Sequence, residues 1–177
     1  MTTFSSPADS IIRARSLIRT IHNYPHEGIA FRDITPLLAD GSALHAVCQQ
    51  LLTQTDASFD VVAGIEARGF IFAGAIAAIA NRGMIPIRKV GKLPQVAHHI
   101  TYAKEYGVDQ LEVSPALQPG MRVLLIDDIL ATGGTLQASA ELVAATGAVV
   151  TAVGVVLELE GLGGRSLVPQ TQAVFSM

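Results

Sequence analysis

The densest chemistry in this chain lies in thirteen residues, VLLIDDILATGGT, from Val123 to Thr135. An apolar run ends in two adjacent acids, and a turn rich in Gly and Thr then opens a helix. Open α/β sheets place ligands at the carboxyl ends of parallel strands. Successive backbone N–H groups around Gly133 and Gly134 can cradle an anion, and the positive end of the following helix adds to that field. Thr132 and Thr135 supply hydroxyl donors beside Ala131. Asp127 and Asp128 cannot both be buried without partners, because desolvating a carboxylate is too costly. They suit the hydroxyls of a sugar, or a metal ion near it. A plain strand-to-helix turn with a threonine cap is the simpler alternative. The spacing matches neither a Walker loop nor a dinucleotide fingerprint. Two acids ahead of a phosphate cradle point to a ribose phosphate.

Four further segments carry groups of the same kind. GIEARGF (Gly64 to Phe70) follows an apolar run, and its Arg68 offers a planar fork of donors that matches phosphate oxygens; otherwise it is a capped turn with a surface arginine. RKVGKLP (Arg88 to Pro94) gathers Arg88, Lys89 and Lys92 in a chain with 12 Lys and Arg in all; its plain reading is a solvated basic loop. GIAFRDITPLL (Gly28 to Leu38) contains a helix start, with Thr35 as cap and Pro36 in the first turn. That start does not account for Phe31. YAKEYG (Tyr102 to Gly107) lies in a long stretch without a clean period, as mobile or functional loops often do.

In this order and spacing the five segments resemble the type I phosphoribosyltransferases and, among them, the adenine phosphoribosyltransferases, over about Ile11 to Arg165. The resemblance implies transfer of a phosphoribosyl group from phosphoribosyl pyrophosphate to adenine, giving AMP and pyrophosphate. Asp127, Asp128 and Ala131, Thr132, Gly133, Gly134 and Thr135 would bind the phosphoribosyl moiety. Glu66, Ala67, Arg68, Arg88, Lys89 and Lys92 would form the pyrophosphate site, partly donated across a homodimer interface. A cis peptide would join Glu66 and Ala67. Phe31 would stack on the purine, with backbone groups of Ala30 and Arg32 reading its edge and Leu159 forming the opposite wall. Glu105 matches the general acid/base, with Tyr106 beside it in a lid. Mg2+ would be held mainly by substrate and water, with no direct protein ligand. Two positions depart from the pattern: Val90 stands where proline is usual, and Lys104 where an apolar residue is usual. A cation beside Glu105 would lower its pKa. Two other functions remain compatible: transfer to a 6-oxo purine, and a regulator that binds phosphoribosyl pyrophosphate without turnover.

The elements that must position these groups follow from periodicity. Ser6, Pro7 and Asp9 open a helix whose stripe is Ile11, Ala14, Ile18 and Ile21, broken by Pro25 and Gly28. A second helix is expected over Ser42–Leu52. Strands are expected at Val61–Ile65, Met84–Arg88, Arg122–Ile126 and Val149–Leu157, and helices at Gly69–Asn81 and Thr135–Thr146. A hairpin is expected around Ile100–Tyr102 and Leu111–Val113. Strand–helix alternation with short connections predicts an α/β fold with a mostly parallel central sheet flanked by helices. The resemblance adds a mobile lid hairpin and a short N-terminal helical segment on the purine side. All 177 residues read as a single domain.

Half of the residues are hydrophobic and the net charge is −3, which argues against disorder and against a nucleic-acid or anionic-membrane surface. The longest apolar run, Phe70 to Ala80, has eleven residues against the ~20 of a bilayer span. With no leader pattern at Met1 to Asp9, the chain reads as soluble and cytoplasmic. The single cysteine, Cys48, reads as core, and the pair His98–His99 as lid or surface rather than metal ligands. Gly161 to Arg165 matches a closing turn of the resembled family.

Overall fold

The first helix stops five residues earlier than its apolar stripe suggests. In the computed structural model, which describes residues 6–55, 58–104 and 107–177, α1 spans Pro7–Ser16. Its start is as expected: the Ser6 hydroxyl accepts from Asp9 N–H, and the Asp9 carboxylate accepts from Ser6 N–H. At its end the Ser16 hydroxyl donates to the Arg13 carbonyl at 2.7 Å. Arg19–His22 then forms a strand, β1, paired antiparallel with β2 (Ala30–Asp33) in the register Arg19↔Asp33 and Ile21↔Phe31. Thr20 and Ile21 are β-branched and favour the extended state once a partner strand is near. The connecting turn supplies that partner. Asn23 and Gly28 adopt positive φ, and the Asn23 side chain accepts from Gly28 N–H at 2.9 Å. Ile18 and Ile21 therefore matched the helical period by coincidence. After β2, Ile34 rather than Thr35 is the N-cap of α2 (Thr35–Ala39), and the Asp33 carboxylate accepts from Thr35 N–H at 2.9 Å. α3 follows over Gly41–Thr55, with Cys48 fully buried and its thiol pushed up to about 12 by burial, so it is chemically quiet.

Two compact units divide the chain, Met1–Gln50 and Leu51–Met177. The second unit is a seven-stranded sheet. Its strands are β3 (Val61–Ile65), β4 (Gly83–Lys89), β5 (His98–Lys104), β6 (Gly107–Val113), β7 (Arg122–Leu130), β8 (Val149–Glu158) and β9 (Thr171–Ser176). The order is β5-β6-β4-β3-β7-β8-β9; β4, β3, β7, β8 and β9 run parallel, and the β5–β6 hairpin joins antiparallel at β4. The helices α4 (Gly69–Ile79), α5 (Gly134–Ala145) and α6 (Gly164–Leu167) connect the parallel strands. β3 is buried at every position, as its unbroken apolar run requires. Around it Ile65, Ile87, Leu125, Leu142 and Val155 form the centre of the core. β9 carries no strong pattern in TQAVFS and was not expected; pairing with β8 makes it a strand. No helix among the described residues is long and apolar enough to cross a membrane.

Two details of this topology position the chemistry. The chain moves outward in one direction from β3 to β4 and in the other from β7 to β8 and β9. The sheet's switch point, where ligands bind, therefore lies between β3 and β7. Pairing of those two strands ends at Gly64↔Ile126. β7 itself runs on to Leu130, four residues past its expected end, because β8 continues beside it through Asp127↔Val155 and Leu130↔Glu158. Asp127 and Asp128 thus emerge where β7 has lost one neighbour but kept the other.

Candidate active site

The turn after β7 is shaped by backbone contact. Gly133 sits at φ +87°, a conformation that favours glycine, and caps α5. A Cβ on Gly133 would lie 2.7 Å from the Gly164 carbonyl, and one on Gly164 only 2.2 Å from the Ala131 carbonyl. Gly164, in the Gly163–Gly164 turn, is thus pressed against the Ala131–Gly133 loop, with no room for a Cβ on Gly164 or on Gly133. Arg165 fixes that turn, donating to the Glu158 carboxylate and to the Thr171 carbonyl. The first-turn N–H groups of α5 point out of such a loop as anion donors. Thr132 is exposed, and the Thr135 hydroxyl is 3.2 Å from the Tyr102 hydroxyl of β5. The hairpin therefore crosses the mouth of this loop.

The two acids are both buried, Asp127 at 8% and Asp128 at 6% exposure. Asp128 meets the Arg68 guanidinium at 2.7 Å. Asp127 accepts the N–H of Asp128 at 2.8 Å. Burial pushes Asp127 well above the usual carboxylate range, and the charge of Asp128 pushes it further. Burial also raises Asp128, against the opposing pull of Arg68. Glycine again makes the approach possible, since a Cβ on Gly69 would stand 2.9 Å from Asp127 Oδ1. The turn after β3 thus delivers Arg68 to the acids of β7. The Glu66–Ala67 peptide in that turn is cis, as the resemblance implied.

The basic segment is held differently. Glu66 accepts from Arg88 Nε at 3.3 Å and Nη2 at 3.2 Å, and from Lys89 N–H at 2.9 Å. Burial alone would raise its pKa, but Arg88 and the Lys89 amide outweigh that and the net shift is downward. The Glu66 carboxylate therefore orders cations instead of facing an anion. Arg88 also donates to the Lys92 carbonyl at 3.1 Å and lies 5.8 Å from the Phe70 ring centroid. Lys89 Nζ is 3.4 Å from Asp109 Oδ2. Val90 donates its N–H to the Gln110 carbonyl at 3.4 Å, a bond that proline could not make.

On the N-terminal unit, Phe31 is half-buried in β2 and meets Tyr24 edge to face at 5.2 Å. Ala30 is exposed, and the Arg32 guanidinium donates to the Thr20 hydroxyl. Leu159, in the other unit, follows β8, with its N–H donating to the Leu130 carbonyl at 2.8 Å. Glu105 and Tyr106 lie outside the described residues. Sequence reading passed over three contributors here: Gly164, Tyr102 and Glu112. Gly163–Gly164 is visible in the sequence, but the contact of Gly164 with Ala131 joins positions far apart in the chain. Glu112, on β6 in the mixed run GVDQLEV, carried no signal.

A mostly parallel sheet with acids and a glycine cradle at its switch point defines a phosphoribosyltransferase architecture. The chain belongs to the phosphoribosyl transferase domain family, whose model matches residues 37–165. Its relatives are more specific. It is 52% identical over 163 residues to the adenine phosphoribosyltransferase of Saccharopolyspora erythraea, covering 91% of this chain and 88% of that one. The crystal structure of adenine phosphoribosyltransferase from Thermoanaerobacter pseudethanolicus superposes with a TM-score of 0.90 at 37% identity, covering 94% of this chain and 99% of that one. The Saccharomyces cerevisiae enzyme, solved with adenine and an imino-altritol bisphosphate, gives 0.88 at 32% identity over 95% and 99%.

Proposed function

We propose that this chain transfers the phosphoribosyl group of phosphoribosyl pyrophosphate to N9 of adenine, releasing pyrophosphate and forming AMP. The observation that carries the reading is the junction at the end of β7, where an Arg68-paired acid couple runs directly into the Gly133-capped turn of α5. In the reaction the C1′–oxygen bond to pyrophosphate breaks, the electron pair leaves with pyrophosphate, and N9 forms the new bond to C1′. Positive charge develops on the ribose and negative charge on the leaving group, so positioning and charge stabilisation supply most of the rate. Asp127 and Asp128 would hold the ribose hydroxyls, and residues 131–135 the 5′-phosphate. Arg68 with Arg88, Lys89 and Lys92 would hold the pyrophosphate. Glu105 would take the proton that N9 loses. Phe31 and Leu159 would flank the purine. β2 pairs only with β1 among the described residues, and a ribbon edge of that kind supports backbone reading of the base by Ala30 and Arg32.

Mg2+ belongs to this reading as a companion of the substrate. The ion prefers phosphate oxygens and water to an all-protein cage, so it would enter with the substrate and need no direct protein ligand. Bound with the substrate, it would neutralise part of the charge on the departing pyrophosphate. A single catalytic domain over 1–177, homodimerisation and residence in the cytoplasm complete the proposal. The family resemblance supports the dimer, and the lone cysteine suits a reducing compartment.

The test is pyrophosphate release from phosphoribosyl pyrophosphate with Mg2+ and either adenine or hypoxanthine, beside a Glu105→Gln variant. Adenine-only turnover, with a large loss in the variant, is expected. Equal use of hypoxanthine would sink the adenine assignment. Tight binding of phosphoribosyl pyrophosphate with no turnover of any purine would favour a sensor instead.

A further inference from the structure

Glu112 lies on β6 and is 4% exposed, among the most buried charged groups described. Its register partner on β4 is Arg88. Its carboxylate reaches across to the segment that follows β4 and accepts three consecutive backbone N–H groups: Gly91 at 3.2 Å, Lys92 at 2.8 Å and Leu93 at 2.7 Å. Burial would raise its pKa, but the three amides and the nearby Arg88 charge outweigh that, and the group is held on the acidic side of its usual value. It is therefore an ionised carboxylate under neutral conditions. Three successive amides converging on one point form an anion nest, and here the protein's own anion fills it.

That arrangement has a consequence for ligand binding. A negative charge buried beside a pyrophosphate site opposes the ligand unless it does something that outweighs the repulsion. With the amides of residues 91–93 committed to Glu112, they are not available as ligand donors, so the anion must be met by side chains. Those side chains can meet it only if the segment is fixed. At Gly91 φ is +81°, a conformation in which the chain has no intrinsic preference to stay. Glu66 fixes the first part of the segment through Arg88 and Lys89, and Glu112 fixes the second part through Gly91 to Leu93. We propose that Glu112 is a positioning residue for pyrophosphate: it sets the conformation from which Lys92 and Arg88 engage the leaving group, without touching substrate.

This inference rests on the reading of Arg88, Lys89 and Lys92 as pyrophosphate contacts, and its test separates the two. Glu112→Gln keeps the volume and one acceptor oxygen, enough for Lys92 and Leu93, but turns an amide NH2 toward Gly91 N–H. Glu112→Ala removes all three bonds. The measurements are KM for phosphoribosyl pyrophosphate, KM for adenine, kcat, and product inhibition by inorganic pyrophosphate, with thermal unfolding to confirm folding. Lys92→Ala and Arg88→Ala are measured alongside. The expected result is graded: KM for phosphoribosyl pyrophosphate rises ~10-fold in Glu112→Gln and more in Glu112→Ala. Pyrophosphate inhibition weakens in parallel, and KM for adenine stays within about twofold. A purely structural role would lower the unfolding temperature and the active fraction without that split. If Lys92→Ala and Arg88→Ala weaken pyrophosphate binding while a folded Glu112 variant does not, the positioning role is wrong. If neither cation variant changes it, the pyrophosphate reading of the segment fails and this inference falls with it. Should Glu112→Ala not fold, Glu112→Gln alone decides.

Discussion

Two loops flank the switch point of the sheet, and they are held by opposite means. The loop at 131–133 is shaped by exclusion of volume: Gly133 and Gly164 meet backbone to backbone, and the shape needs no charge. The segment at 88–93 is shaped by charge, with Glu66 and Glu112 gripping its amides and its arginine. The difference matches what each would bind. A terminal phosphate that stays in place through the reaction suits a rigid cradle of amides. A pyrophosphate that must arrive and leave suits cations on long side chains, kept in register by buried carboxylates. The first loop should fail when volume is added, and the second when protons are.

The largest effect expected is at Gly164. Gly164→Val puts branched carbon into a position where even a Cβ would stand 2.2 Å from the Ala131 carbonyl. Backbone displacement of that kind costs about 3 kcal/mol or more, so kcat/KM for phosphoribosyl pyrophosphate should fall at least ~100-fold. Gly74→Ala, on α4 with open space around its Cβ, should leave kinetics unchanged. Similar losses in both variants would break the contrast. Next comes Arg68→Ala, which removes the partner of Asp128. We expect about a 10- to 100-fold loss in kcat/KM for phosphoribosyl pyrophosphate, since the charge-assisted bonds to phosphate proposed for Arg68 would be lost. Steady-state kinetics with adenine held saturating would show it.

The remaining two predictions concern pH, with opposite signs. Asp127 has a raised pKa when folded, so folding binds its proton and stability falls as pH rises from about 4 through that raised value. Asp127→Asn removes this fall. Its unfolding midpoint in urea should gain on that of the parent as pH is raised, and a constant offset would contradict the burial argument. Glu66 is shifted the other way. Its contribution is present above the ordinary value of 4.5 and is lost as pH falls through the lowered one. Glu66→Gln should therefore lie below the parent near neutral pH and converge with it in acid, by a smaller margin. Denaturation curves across the acid range would detect a failure to converge.

Much of this was legible from residue order. Val61–Ile65 was read as a strand and is one to the residue, since five apolar residues bounded by polar ones suit a position buried on both faces. The hairpin was legible too, but not its register: Ile100 stands opposite Leu111 and Tyr102 opposite Asp109, while Val113 pairs with His98. β1 was not. Its Ile21 sits on a helical period with Ile11, Ala14 and Ile18, and only the Asn23–Gly28 turn and the partner strand decide against the helix. The same holds for the end of β7, since a strand's length is set by its neighbours and β8 keeps pairing to Leu130.

The candidate site divides in the same way. Asp127, Asp128, Gly133 and Arg68 stood out because unusual residue types in tight local order leave a pattern in one dimension. Their pairings did not, since Arg68 and Asp128 are sixty residues apart. Composition and motif spacing determined the fold class, the anion cradle and the likeness to phosphoribosyltransferases. Tertiary structure decided that Asp128 is partnered, that Glu66 orders cations, that Gly164 shapes the loop at 131–133 and that Glu112 fills the nest behind the basic segment. Local order is encoded by neighbours along the chain, whereas a buried charge or a close backbone contact is defined by neighbours that only folding brings near.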